Sequence, residues 1–292
     1  MMLDFWKFLS LYPNASLVCL GLLALLVGSF LNVVIYRLPR MLEISWRDEC
    51  RILLKIAPCT QKNMPKLNLC FPRSFCPACH QSIPAWHNIP ILSFIILRGH
   101  CFFCKTKISW QYPFVELICL VLSVLAAHLF GFSLMLLFSL CFIWILVCLA
   151  MIDFKHQILP DALTLGLLWL GLLANLHGLI TPLTDAVLGA ALGYVILWLV
   201  MKIFYYTTKK VGMGQGDFKL LAAFGAWLGW TKLPLILLIA SFLGAVIGII
   251  YLKTTQQSKE TPIPFGPFLC FSGLIVLFWG NEILEIYFRA LF

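Results

Sequence analysis

SLMLLFSLCFIWILVCLAMIDFK, residues 133–155, sets nearly twenty almost uniformly apolar residues in front of a single acid, Asp153. A helix needs about 20 such residues to cross roughly 30 Å of hydrocarbon. The stretch therefore reads as a membrane span that ends on a carboxylate. Similar apolar windows recur at 15–36, 114–130, 158–178, 183–205, 217–230, 233–252 and 265–288. With 133–152 they predict an all-α polytopic membrane protein of about eight transmembrane helices. The 217–230 window is short, and is expected to be tilted or continuous with a broken helix before it.

The whole composition agrees. Hydrophobic residues make up 62% of the 292 and charged residues only 11%, where a soluble domain carries about a quarter. Mean hydropathy is +0.96. The net charge of +9 then reports topology and anionic lipid rather than nucleic acid. The first apolar run, Ser16 to Tyr36, is longer than a typical signal core, and Lys7 is the one cation before it. It is expected to be a retained span.

Residues 37–113 break the pattern with prolines, eleven lysines and arginines, and seven cysteines. They predict a soluble loop domain between a first span (1–36) and a membrane domain (114–292). Placing that loop in the cytoplasm and alternating eight spans puts 18 of the 21 cations inside, leaving Lys7, Lys232 and Arg289 outside. That is the positive-inside bias. Against eleven cations the loop holds Glu43, Asp48 and Glu49, a balance suited to lipid contact rather than to a basic ligand.

Within the loop, Cys76-Pro-Ala-Cys79 is followed after 21 residues by Cys101-Phe-Phe-Cys104. Each C-x-x-C offers two sulfurs from one tight turn, and two such turns complete a tetrahedron around Zn2+. Four protein ligands leave no open position, so the zinc would be structural. Redox or disulfide cysteines are the alternative, disfavoured in a reducing compartment. His80, His87 and His100 are possible competing ligands. Cys50, Cys59 and Cys70 lack the spacing and read as free thiols, and Cys19, Cys119, Cys141, Cys148 and Cys270 as small packing residues.

Acids inside or beside spans are costly and point to function. Asp161 and Asp185 are placed to cap helices, and Glu116 to sit at the interface. Asp153 and Asp217, in Gly212-Met-Gly-Gln-Gly-Asp217-Phe-Lys219, fall on the same membrane boundary. Two carboxylates meeting in a low-dielectric site tend to share one proton, so one serves as base towards water and the other as acid towards a carbonyl. Aspartyl proteolysis requires this. A proton or ion relay, as in a transporter or channel, and a plain boundary role are the competing readings.

Taken together, Gly28-Ser-Phe-Leu-Asn-Val-Val-Ile-Tyr-Arg-Leu-Pro39, the two knuckles, Asn88-Ile-Pro-Ile-Leu-Ser93, Asp153 to Asp161, Gly214-Gln-Gly-Asp217 through Gly229, and Pro264-Phe-Gly-Pro267 resemble the type IV prepilin peptidase family. The resemblance covers almost the whole chain. It implies a bifunctional enzyme of the bacterial inner membrane, its active site facing the cytoplasm. Such enzymes cut the basic leader from prepilins and pseudopilins, with Asp153 and Asp217 as the matching aspartates. They then methylate the new N-terminal amine from S-adenosylmethionine, a function the resemblance associates with 37–113. His100 stands where relatives often carry lysine. A polar methyl donor needs a site outside the hydrocarbon. Glu43 is one candidate, either for the sulfonium charge or for the amine's proton, although an ion pair with Arg40 or Arg47 explains it equally. Arg98, Gly99 and His100 form a second candidate patch, with a simple turn as the alternative.

Overall fold

The computed structural model describes residues 11–56, 67–210, 212–255 and 264–291. Lys7, Cys59, Lys62, Lys66 and Lys259 lie outside the described residues. Contacts divide the chain into an N-terminal unit, 1–128, and a C-terminal unit, 129–292.

In the N-terminal unit, helix α1 runs Pro13–Leu53, with proline in its first turn, where the missing N–H costs nothing. The apolar run ends at Tyr36, yet the helix continues for seventeen residues, through Pro39. Hydropathy marks where a helix leaves hydrocarbon, not where it stops. The continuation, beginning Arg40-Met-Leu-Glu43, is made of good helix formers, and no glycine interrupts it before Leu53. The expected loop therefore begins as helix. After it come a short 3₁₀ turn at Ala85–Asn88, helix α2 (Leu92–Ile96) and helix α3 (Gln111–Phe130). Arg37 is buried, and its guanidinium donates to the carbonyls of Asn68 (2.9 Å) and Pro72 (2.6 Å). One of the eleven cations is thus a strut between α1 and the loop rather than a lipid contact.

The C-terminal unit holds α4 (Leu134–His156), α5 (Asp161–Ala174), α6 (Leu183–Thr208), α7 (Gln215–Leu228), α8 (Leu233–Thr255) and α9 (Gly266–Leu291). Six helices of the described chain are long and apolar enough to cross a membrane, namely α1, α3, α4, α6, α8 and α9. The protein is a multi-pass membrane protein. The other two expected spans are the 14-residue helices α5 and α7, each about 21 Å long at 1.5 Å per residue.

Helix α7 is short because it is the core. Every residue from Asp217 to Leu228 except Lys219 is buried, packed among α5, α6 and α9. Its approach to α6 depends on a pair of glycines: a Cβ on Gly225 would run into the Gly189 carbonyl, and one on Gly189 would sit 2.5 Å from the Gly225 oxygen. Two polar side chains fix it lengthwise. Trp227 Nε1 donates to Leu167 O of α5 at 2.7 Å. Asn175, fully buried, donates to the carbonyls of Ala226 (2.9 Å) and Trp227 (3.0 Å) and accepts from the amides of Ile180 and Thr181 (3.1 Å each).

Asn175→Ala strands these backbone groups, and each buried orphan costs about 1–3 kcal/mol. The variant is expected to lose on the order of 2–3 kcal/mol of stability, read as a clear fall in apparent Tm during thermal unfolding in detergent. An unchanged Tm would mean that Asn175 does not hold α7.

Candidate functional site

Alternation of α4 through α9 brings six helix ends to one side of the C-terminal unit, among them the C-terminus of α4 and the N-termini of α5, α7 and α9. Asp153 lies in the last turn of α4, its carbonyl accepting from Gln157 N at 2.9 Å. Asp217 lies in the first turn of α7, behind Gly214. Both are buried, at 6% and 8% exposure, and the charge of Asp153 reaches Asp217. Residues 64 apart in sequence, on two separate helices, are thus neighbours in the candidate site.

Each carboxylate has a backbone donor. The Gly266 amide, at the start of α9, donates to Asp153, and the Gly214 amide to Asp217. Gly266 also provides the room: a Cβ there would lie 2.6 Å from Asp153 Oδ2. The partial positive charge of helix N-termini favours anions in this position. One oxygen is left over. Asp217 Oδ1 is shut off from solvent and has no hydrogen-bond partner among the described residues. A buried polar atom is normally satisfied, so an unpaired carboxylate oxygen marks where a proton, water or substrate group belongs. Cys270, read from sequence as a packing residue, is buried one turn into α9, near enough to feel both carboxylates.

The remaining acids differ from expectation. Asp161 does not cap: the capping position of α5 is Pro160, and Asp161 instead accepts from Lys219 Nζ at 2.6 Å, pinning the start of α5 to that of α7. Asp185 lies within the first turn of α6, after Pro182, with no side-chain capping bond. Glu116, near the start of its span, is not left facing solvent or lipid. It is buried in α3, and its Oε2 accepts from Ile91 N at 2.7 Å. The signal missed in Glu116 is its partner, 25 residues earlier, presented by a turn that no local pattern reveals.

In the N-terminal unit, the sulfurs of Cys76, Cys79, Cys101 and Cys104 all lie within 4.8 Å of one another. Cys76 and Cys104 are 3.8 Å apart, close to the roughly 3.8 Å edge of a tetrahedron with 2.3 Å metal–sulfur bonds. The two knuckles are built alike. The first cysteine's carbonyl accepts from the residue after the second: Cys76 O from His80 N (2.8 Å), and Cys101 O from Lys105 N (3.1 Å). Both closing residues have positive φ, 57° and 56°. Hydrogen bonds with the Thr106 hydroxyl and amide pull the Cys104 thiol down to about 6, while burial and the neighbouring sulfurs of Cys104 and Cys76 push Cys79 up to about 11. The cluster could hold a metal ion, and no histidine belongs to it. His80 stacks on Phe75, His87 lies against Phe102, and His100 Nδ1 meets the Arg98 carbonyl at 2.7 Å. Cys50 and Cys70 are exposed free thiols.

The other candidates fall on the surface of this unit. Glu43 is exposed on the projecting part of α1. Arg98, Gly99 and His100 form a turn leading into the second knuckle, with positive φ at Arg98 and Gly99.

The chain is similar to known proteins along both units. Residues 22–130 match the bacterial peptidase A24 N-terminal domain, and residues 140–249 match the type IV leader peptidase family. A prepilin leader peptidase/N-methyltransferase of Legionella pneumophila is 53% identical over 94% of this chain and 96% of its own length. Enzymes of the same name from Pseudomonas aeruginosa and Dickeya chrysanthemi are 47% and 45% identical, each over at least 94% of both chains. No solved structure matches. The chain belongs to the type IV leader peptidase family.

Proposed function

We propose that this chain is a membrane aspartic endopeptidase and N-methyltransferase, which removes the basic leader of prepilins and pseudopilins and methylates the amine that the cut exposes. The observation that carries the peptidase reading is the buried pair Asp153 and Asp217, with one carboxylate oxygen unpaired. The matched family and the relatives' names support the substrate class and the second activity.

In this reading the two acids hold one proton between them. The ionised carboxylate takes a proton from water as the water oxygen bonds to the scissile carbonyl carbon. The protonated partner gives its proton to the carbonyl oxygen. Collapse of the tetrahedral adduct breaks the C–N bond, and the nitrogen leaves with a proton returned by the pair. Gly266 and Gly214 hold the carboxylates still, and Asp217 Oδ1 is the oxygen free to meet the water. The cut falls where a cationic leader joins an apolar helix. This suits a site at helix ends on the lysine-rich side, which we assign to the cytoplasmic face of the bacterial inner membrane.

Cys76, Cys79, Cys101 and Cys104 are assigned to a structural zinc. It would tie the two knuckles together and, with no open position, would take no part in chemistry. Methyltransfer is assigned to the N-terminal unit. S-adenosylmethionine supplies an electrophilic methyl when bound. We assign Glu43 to accept the amine's proton.

Asp153→Asn and Asp217→Asn are each expected to lower leader cleavage by about a hundredfold or more, since an amide neither takes nor gives the shared proton. The double variant should be no worse than either single one, because the pair acts as a unit. Mass measurement of leader release from a prepilin-like substrate checks this, and substantial turnover by a single variant refutes the pair. Elemental analysis should find about one zinc per chain, lost together with protein yield in Cys76→Ser or Cys101→Ser, as metal binding and folding of small zinc modules are coupled. Active protein free of metal would refute that assignment. Glu43→Ala should cleave normally and fail to methylate precleaved substrate; equal loss of both activities would point instead to one shared site.

A further inference from the structure

The N-terminal unit holds a partly open pocket of about 350 Å³ between α1, α3 and the knuckles. That is within the range of small-molecule sites. Its described lining contains one acid, Glu116, and two cations, Lys107 and Arg37, the second already bonded to the carbonyls of Asn68 and Pro72. The Glu116 carboxylate accepts from the Ile91 amide and from the Ser29 hydroxyl. Aromatic rings from Phe75, His87 and Phe102 form part of the wall. Neither Glu43 nor the Arg98–His100 turn lines it.

Two details mark the cavity as a built site rather than a packing gap. Ile91 adopts φ 57° and ψ −49°, with Leu92 N donating to Pro90 O at 2.5 Å. This is a tight γ-turn of the strained hand, on a β-branched residue. The turn aims its central amide at Glu116. Strain of this kind persists where the surroundings enforce it, commonly at ligand sites. Second, His87 Nδ1 is buried without a hydrogen-bond partner among the described residues. Its ring packs on Phe102 at 4.6 Å, leaving a polar atom for a polar ligand to satisfy.

We propose that this cavity binds the methyl donor, a sulfonium nucleoside, with the buried Glu116 carboxylate facing the sulfonium. A cation in an aromatic-walled pocket is attracted both by ring faces and by a carboxylate. A purine stacks on the same kind of wall. The assignment rests on the methyltransferase reading above and supplies its missing donor site.

The test is direct binding to full-length protein in detergent, by calorimetry, with three ligands of one shape. S-adenosylmethionine carries the sulfonium charge. Sinefungin carries an ammonium in its place, and S-adenosylhomocysteine carries neither. Glu116→Gln keeps an oxygen for the Ile91 amide and removes the charge. It is expected to weaken the first two ligands about tenfold or more, with S-adenosylhomocysteine changed by less than about threefold. Val33→Phe, which fills the cavity from α1, should weaken all three. Asp48→Asn, an exposed acid of α1 outside the cavity, should change none. Zinc content and leader cleavage at wild-type levels certify each fold. If Glu116→Gln weakens all three equally, the carboxylate is not the sulfonium's partner and the proposal fails. It fails also if Val33→Phe leaves binding intact while the wild type binds and methylates. That result moves the donor elsewhere and leaves the proposed function standing. A wild type that binds no donor and methylates nothing removes both.

Discussion

A carboxylate is costly in hydrocarbon unless something charged or polar meets it, and the C-terminal unit is arranged around two of them. Asp153 and Asp217 are reached by the backbone amides of Gly266 and Gly214. Those amides are available because they stand at the open N-terminal ends of α9 and α7. The helices must therefore end at the site rather than pass it. Helix α7 can be only 14 residues long because it hangs inward from that level. Its glycine contact with α6 and its ties to Asn175 and Leu167 keep it from sliding. Rigidity at the far end is what lets Asp217 be placed at the near one.

The N-terminal unit solves a different problem. It has little apolar core outside the membrane, so polar devices do the holding. Arg37 gathers loop carbonyls, the cysteines cluster, and Glu116 fixes the Ile91 turn. The two knuckles share a hydrogen-bond pattern and a positive φ at the same relative position, His80 and Lys105, so four sulfurs converge from two copies of one local shape. The pocket lies between these devices, with strain and an unsatisfied histidine on its wall.

Much of this was legible in the chain because it is local. Long apolar windows give spans, C-x-x-C spacing gives the sulfur cluster, and acids in an apolar context stand out, as Asp153 and Asp217 did. What escaped depends on contacts between distant segments or on the absence of a stop. The end of α1 was misplaced because hydropathy falls at Arg37 while helix propensity does not. The burial of Glu116 escaped because its partner amide belongs to a turn 25 residues away. Asp161 looked like a cap because it follows a proline, and only the fold shows Lys219 reaching it. Gly266 stood within a recognisable motif, but nothing in sequence says that its missing side chain makes room for a carboxylate of α4.

The length of α1 has a mechanical consequence. Its 41 residues make a rod of about 60 Å at 1.5 Å per residue, roughly twice the hydrocarbon thickness. About half of it stands clear of the bilayer, in one piece with the part inside. A helix adapts to a thicker or thinner membrane by tilting. Pro39 stands between the apolar part and the overhang, and an interior proline removes one hydrogen bond of the ladder and bends a helix there. A straight overhang about 30 Å long would carry about ten degrees of tilt into roughly 5 Å of sideways travel at its tip; the bend at Pro39 sets how much of that travel reaches Glu43.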